Sequence, residues 1–297
     1  MATINTTINY YLDAARGGGD TVFRPGTVYD KLRKHDIQAV EVRDIRGQES
    51  QYDLDTCGFQ LVQHRSIENE FEDEEKIKGD VYAETAELLK TVTGATKVLP
   101  FSHIIRRQAY SEALKEAKSK QSLDDIVRSI SVAMFAHVDQ SYDGAYQVLR
   151  DNVSPASDAE RLSECRFGII NVWRPIRIPV PREPLGVCDA RSVPDEDLVE
   201  VFAKLPEKGT GTFENVSKGN GFGLWNVKYN PSHKWYYASG MRPEEVLMIK
   251  CFDSKKDGRA RRSPHGAFRM DGQDERAPAR ESIEVRCLVF WEDQRSE

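Results

Sequence analysis

The stretch Ile283-Glu284-Val285-Arg286-Cys287-Leu288-Val289-Phe290-Trp291 reads as a β-strand: β-branched and aromatic residues dominate it, and neither glycine nor proline interrupts it. Alternation extends the pattern upstream. Arg280, Ser282 and Arg286 share one face, while Ile283, Val285 and Cys287 take the other. Three further runs have the same texture, namely Phe167–Trp173, Lys234–Tyr237 and Val246–Phe252. Between them, Asp195–Phe202 is expected as a capped helix and 206–223 as a Gly-rich loop. Upstream, Asp80–Lys90 reads as a helix with Val81, Leu88, Leu89 and Val92 at helical spacing and Gly94 as its stop. Residues 108–150 read as helix or loop around the apolar segment Ser131–Ala136. The first twenty residues, ending in Gly17-Gly18-Gly19, read as a flexible lead-in. The pattern is a helical N-terminal part around a β-rich C-terminal part, without the regular alternation of a doubly wound sheet.

Composition bounds the function. The 297 residues carry 42 basic and 48 acidic side chains, a net charge of −6 that argues against sequence-independent binding of nucleic acid. Mean hydropathy is −0.59 and no apolar run approaches the roughly 18 residues of a membrane span. The acidic run Glu68–Glu75 is read as a solvated surface segment. Cys57, Cys165, Cys188, Cys251 and Cys287 are scattered with no C-x-x-C spacing. They are expected as reduced, mostly buried thiols of a cytoplasmic enzyme, since the N-terminus lacks a secretory signal.

The sharpest chemical feature is His137-Val138-Asp139, where the apolar segment ends. On a strand, residues i and i+2 share a face, so one imidazole and one carboxylate converge. A second imidazole would complete a facial triad that leaves three cis positions on an iron free. Of the six histidines, His265 in Ser263-Pro264-His265-Gly266-Ala267-Phe268 is the best candidate, because it lies between two predicted strands. His103 has no acidic residue two positions away and is read as a support to the metal ligands or as structural. Arg280-Glu281-Ser282 follows His265 and opens the last strand. A planar guanidinium holds a carboxylate bidentately, and a neighbouring hydroxyl adds a further hydrogen bond. Gly219-Asn220-Gly221-Phe222-Gly223 lacks the Lys-Ser/Thr of a nucleotide loop and is read as a loop or turn. The basic run from Lys255 to Arg262 is read as a solvated hairpin tip, with attraction of an anionic substrate as the alternative.

Together, H-x-D, a distant histidine and R-x-S resemble the non-haem iron(II), 2-oxoglutarate-dependent dioxygenases of the double-stranded β-helix fold. Asn171–Ile176, Cys188–Ser192, Trp235–Tyr237, Lys250–Ser254, Pro264–Phe268 and Arg280–Arg286 are similar to one fungal subfamily, and Phe101–Arg107 resembles a further segment of it. That subfamily groups gibberellin desaturase-like and cephalosporin 7α-methoxylase-like oxygenases with the hydroxylase/desaturases of natural-product clusters. The likeness runs from about residue 98 to 291.

The resemblance implies a mainly β fold with α support, a jelly-roll (cupin-like) core with flanking N-terminal helices. It implies one domain over 1–297, with mixed support in 1–97 and a barrel over 98–291 that carries an insertion at about 181–233. Fe(II) would be bound by His137, Asp139 and His265, with 2-oxoglutarate and dioxygen as cosubstrates. The family's usual spacing points to Arg276 as the anchor of 2-oxoglutarate. Arg276 falls in a polar loop, so Arg280 with Ser282 is preferred, and Arg174 and Arg286 stay as alternatives. Trp173, Tyr236, Arg106 and Phe268 are expected at the substrate, although aromatics at strand spacing are more often core. Only one of Tyr236 and Tyr237 can face the interior. The expected partner is a small secondary metabolite rather than nucleic acid or membrane, and a homodimer stays open. The expected reaction is oxidation of an unactivated C–H bond by hydroxylation, desaturation, cyclisation or rearrangement. The rivals are an iron oxidase that works without 2-oxoglutarate, a non-catalytic binding barrel and, more remotely, a zinc hydrolase.

Overall fold

The computed structural model describes residues 2–205 and 220–296. Two β-sheets face each other. The larger has nine strands in the order β1 (Thr3–Tyr10), β3 (Asp36–Asp44), β11 (Trp235–Tyr237), β8 (Leu185–Cys188), β13 (His265–Ala267), β6 (His137–Val138), β10 (Gly221–Val227), β9 (Leu198–Lys204) and β2 (Val22–Phe23). The smaller has five, β4 (Phe59–Gln63), β12 (Glu245–Asp253), β7 (Cys165–Pro175), β14 (Ser282–Arg295) and β5 (Lys97–Arg106). Pairing is antiparallel except for β11 with β3 and β2 with β9. The fold is the double-stranded β-helix, mostly β with few helices. These are α1 (Val28–Leu32), α2 (Glu74–Lys76), α3 (Tyr82–Thr93), α4 (Tyr110–Ser119), α5 (Tyr142–Asn152) and α6 (Ala156–Glu164). Among the described residues, no helix is long and apolar enough to cross a membrane.

Strand β14 shows how alternation builds the layers. Ile283, Val285, Cys287 and Val289 pack outward with Ile77, Val81 and Leu89, on and just before α3. Leu288 and Phe290 point inward with Phe167, Ile169, Leu224 and Leu149 of α5. Each such fully buried side chain contributes about 1.5–3 kcal/mol. At the other end of the interior, Trp173, Leu185, Val187, Tyr236, Leu247 and Ile249 form a second cluster. The helix α3 ends as expected, at Gly94 with φ 68°.

Several expectations are corrected. The first residues are not a lead-in: β1 pairs with β3 over its whole length, from Thr3↔Arg43 to Tyr10↔Asp36. Its buried set Thr6, Ile8 and Tyr10 alternates with exposed or half-buried Thr and Asn, a polar-rich pattern that conceals a strand. The N-terminal part thus supplies barrel strands as well as helical support. Asp195–Phe202 is not a helix. A 3-10 turn over Asp195–Asp197 leads into β9, because the apolar spacing at Leu198, Val199, Val201 and Phe202 suits either form and pairing with β10 decides. Most of the expected Gly-rich loop, 206–219, lies outside the described residues, but Gly221, Phe222 and Gly223 open β10. The segment at about 181–233 carries β8, β9 and β10, so it forms barrel wall beside β13 and β6. The basic run at 255–262 is largely tied down, with Arg261 over the Tyr142 ring at 4.0 Å and Arg262 paired to Asp195 at 2.6 Å.

Gly266 links this packing to the site. A Cβ there would lie 2.4 Å from the Phe135 carbonyl oxygen, which is backbone and has no room to move. We expect Gly266→Ala to cost about 1–3 kcal/mol, as overpacking does, read as a lowered denaturant midpoint with an unchanged slope.

Candidate metal centre

Two short neighbouring strands assemble the site. His265 on β13 pairs directly with His137 on β6, so both rings project from one face, with centroids 4.6 Å apart. Asp139 follows two residues on. One donor atom from each of His137, Asp139 and His265 lies within 4.8 Å of the others. All three residues are buried. His137 Nδ1 donates to the Phe135 carbonyl at 2.9 Å, and His265 Nδ1 donates to the Ser263 carbonyl at 3.1 Å. In each ring this fixes the tautomer and leaves Nε2 as a lone-pair donor.

Asp139 is held asymmetrically. Its Oδ2 accepts from Asn171 Nδ2 at 2.7 Å and lies 3.0 Å from Arg286 Nη2, whereas Oδ1 lies 3.5 Å from His137 Nε2. Burial alone would raise this carboxyl, but the Arg286 guanidinium and the two imidazoles hold it well below the usual carboxylate range. Arg286 is balanced in turn by Glu284, whose Oε1 accepts from its Nε at 3.1 Å. Burial, and next the neighbouring His137, push His265 below the ordinary imidazole value. Two neutral imidazoles and one carboxylate suit a divalent iron with open positions.

Among the described residues, buried polar atoms are left unsatisfied on Asn171, which touches Asp139, and on Ser102, Arg280 and Ser282, none of which lines the cavity at the triad. Arg280 donates from Nη1 to the Glu183 carbonyl at 2.8 Å and stacks over Trp173 at 5.1 Å, but its buried Nε has no partner there. The buried hydroxyls of Ser282 and Ser102 and the Asn171 Oδ1 are also unpartnered. Burial, and next the charge of Arg106, lower Arg280 to about 9. Such orphaned groups cost free energy unless a ligand meets them. A cavity of about 800 Å³, counting its mouth, opens on the site. His137, Asp139, Arg106 and Arg286 line it together with Phe23, Phe135, Phe222 and Leu224.

The other sequence candidates fall elsewhere. Arg174 sits on the opposite face of β7 from Asn171 and Trp173, where it bonds His64, so it is not near the triad. Arg276 is 93% exposed and paired with Asp274. Of the tyrosine pair, Tyr236 faces inward, but it packs on Tyr52 and Phe59 rather than at the cavity. Phe268 is fully buried on the far side of the nine-stranded sheet against Tyr237, because it leaves β13 on the other face from His265. Trp173 meets Arg280 and not the cavity wall. His103 is structural, bridging Tyr82 and Glu74. Sequence reasoning gave no role to Asn171, although a polar residue within Phe167–Trp173 was the available signal. It also missed the wall residues contributed by the segment around α1.

The fold and the triad define a class, the non-haem iron oxygenases with a facial triad in a double-stranded β-helix. Comparison with known proteins narrows this. A family profile described as "Oxidoreductase/YMDC permease-like domain" matches residues 8–290. The chain is 46% identical to "Hydroxylase/desaturase efuI" of Hormonema carpetanum over 99% of its length and 97% of that protein. It is 33% identical to "Fe(II)/2-oxoglutarate-dependent dioxygenase nvfI" of Aspergillus novofumigatus, over 84% of this chain and 82% of the relative. A solved structure of the "iron and alpha-ketoglutarate-dependent endoperoxidase NvfI" superposes with a TM-score of 0.71 at 28% identity, covering 97% of both chains. The chain therefore belongs to this fungal family of Fe(II)/2-oxoglutarate-dependent oxidoreductases.

Two outcomes are expected at the centre. Asn171→Ala should weaken Fe(II) binding about 10–100-fold, as removal of a ligand's hydrogen-bond partner does, with little change in the far-ultraviolet spectrum. Metal affinity should be flat with pH above the ordinary imidazole value. A His pKa lowered by folding keeps the ring neutral there, so proton competition begins only below about 6.5. A calorimetric titration series against pH checks this.

Proposed function

We propose that this enzyme oxidises an unactivated C–H bond of a small secondary metabolite, by hydroxylation, desaturation or oxidative ring closure. The supporting observation is the coincidence of a buried His-Asp-His triad with unsatisfied Arg280 and Ser282 in one interior. His137, Asp139 and His265 would hold Fe(II), with Asp139 binding through Oδ1 because Oδ2 is occupied. Bound Fe(II) with dioxygen couples the oxidative decarboxylation of 2-oxoglutarate, to succinate and carbon dioxide, to a two-electron oxidation of substrate. The guanidinium of Arg280 and the Ser282 hydroxyl receive the far carboxylate of 2-oxoglutarate, which satisfies groups otherwise buried without partners. Phe135 orients His137 through its carbonyl and covers the ring at 4.6 Å. The apolar wall of Phe23, Phe222 and Leu224 excludes water from the reacting bond.

One succinate per product formed is expected, and no turnover without dioxygen. Product made without succinate would instead assign an iron oxidase that draws its electrons from substrate. Arg280→Met should raise the half-saturating 2-oxoglutarate concentration at least about 30-fold, since truncating one partner of a buried charge pair costs about 2–5 kcal/mol. The metal-to-ligand charge-transfer band of the anaerobic Fe(II) complex reports it.

A further inference from the structure

The cavity wall is apolar and aromatic apart from a few charged side chains, among them the cations Lys31, Arg106 and Arg286 and the carboxylates Asp30 and Asp139. Arg106 ends β5 directly opposite Ser282 and reaches the cavity. It donates from Nη1 to the Ser131 carbonyl at 2.6 Å, and no carboxylate of the described residues lies within ion-pairing distance of it. Burial lowers Arg106, and next the charge of Glu284 raises it, with Arg286, Asp139 and Asp30 acting more weakly. On α1, Lys31 lines the same cavity with a side chain only 10% exposed. Its partner is the adjacent Asp30 at 3.2 Å, whose Oδ2 also accepts from the Gly26 amide at 3.3 Å. A buried cation without full compensation is costly, and an arriving anion removes that cost. Around these cations, Phe23, Phe135, Phe222 and Leu224 offer flat apolar surface that suits a ring system.

We propose that the organic substrate is an acid: a ring-bearing, largely hydrocarbon skeleton whose carboxylate or acidic enol is held by Arg106 and Lys31. The inference rests on the assignment of 2-oxoglutarate to Arg280 and Ser282, which leaves Arg106 for the second substrate. Lys31 and Arg106 thus set specificity and position, and the skeleton lies along the aromatic wall towards the triad.

The test uses a matched pair of probes, 2-naphthoate and its neutral isostere 2-naphthamide. Naphthalene fluorescence follows their binding to the anaerobic Fe(II) enzyme saturated with 2-oxoglutarate, and to the metal-free protein. The native enzyme should bind the acid at least about tenfold tighter than the amide, a difference of about 1.4 kcal/mol. Lys31→Met and Arg106→Met should each reduce that preference to about threefold or less, whereas Arg106→Lys should keep most of it. Equal binding of acid and amide by native protein would overturn the proposal. So would a preference left intact in both methionine variants. A third overturning result is a large rise in the 2-oxoglutarate requirement of Arg106→Met with the acid preference unchanged, which would give Arg106 to the cosubstrate. A native enzyme that shows no charge-transfer band with Fe(II) and 2-oxoglutarate would refute the oxygenase reading instead. The probe preference in the metal-free protein would then still decide the substrate class.

Discussion

The pairing of His137 with His265 across β6 and β13 is the contact on which the rest of the site depends. Both strands are short, and neither would hold its position alone. β10 flanks β6 and β8 flanks β13, so the two imidazoles are fixed by main-chain hydrogen bonds on both sides. Within this register the two histidines use the same device. Each donates Nδ1 to the carbonyl two residues before it, and each turns Nε2 to the same point. A shift by one residue in either strand would send one ring to the opposite face of the sheet.

The second constraint is electrostatic. Asp139 is a buried carboxylate that must stay ionised before a metal arrives. Arg286 and Asn171 reach it from the opposing five-stranded sheet, and Glu284 balances Arg286. The two sheets are therefore joined at the site by charge and hydrogen bonds, while hydrophobic clusters join them at either end. Polar residues occupy the middle of the interior between these clusters. The unpartnered atoms of Arg280, Ser282 and Asn171 mark where the described residues' own groups run out.

Much of this was legible from residue order. The β7, β12 and β14 strands announce themselves by β-branched and aromatic runs without breakers. The H-x-D tripeptide and the R-x-S strand opening carry local geometry, because alternation puts their members on one face. The readings that failed did so for a common reason. β1 is rich in Thr and Asn, and β9 has apolar spacing compatible with a helix, so only a partner strand selects the extended form. Similarly, Phe268 and Arg174 lie close in sequence to His265 and Asn171 but leave their strands on the other face.

By itself, the sequence determined the strand-rich class and the three residues that the fold brings together as a candidate metal site. These follow from periodicity and from the chemistry of side chains, both local properties. The tertiary structure alone decided that Asn171 and Arg286 clamp one oxygen of Asp139, and that the segment around α1 walls the cavity. It also decided that Arg106 stands without a carboxylate partner among the described residues. Those arrangements join residues far apart in the chain, and they exist only where packing of the two sheets has already excluded water.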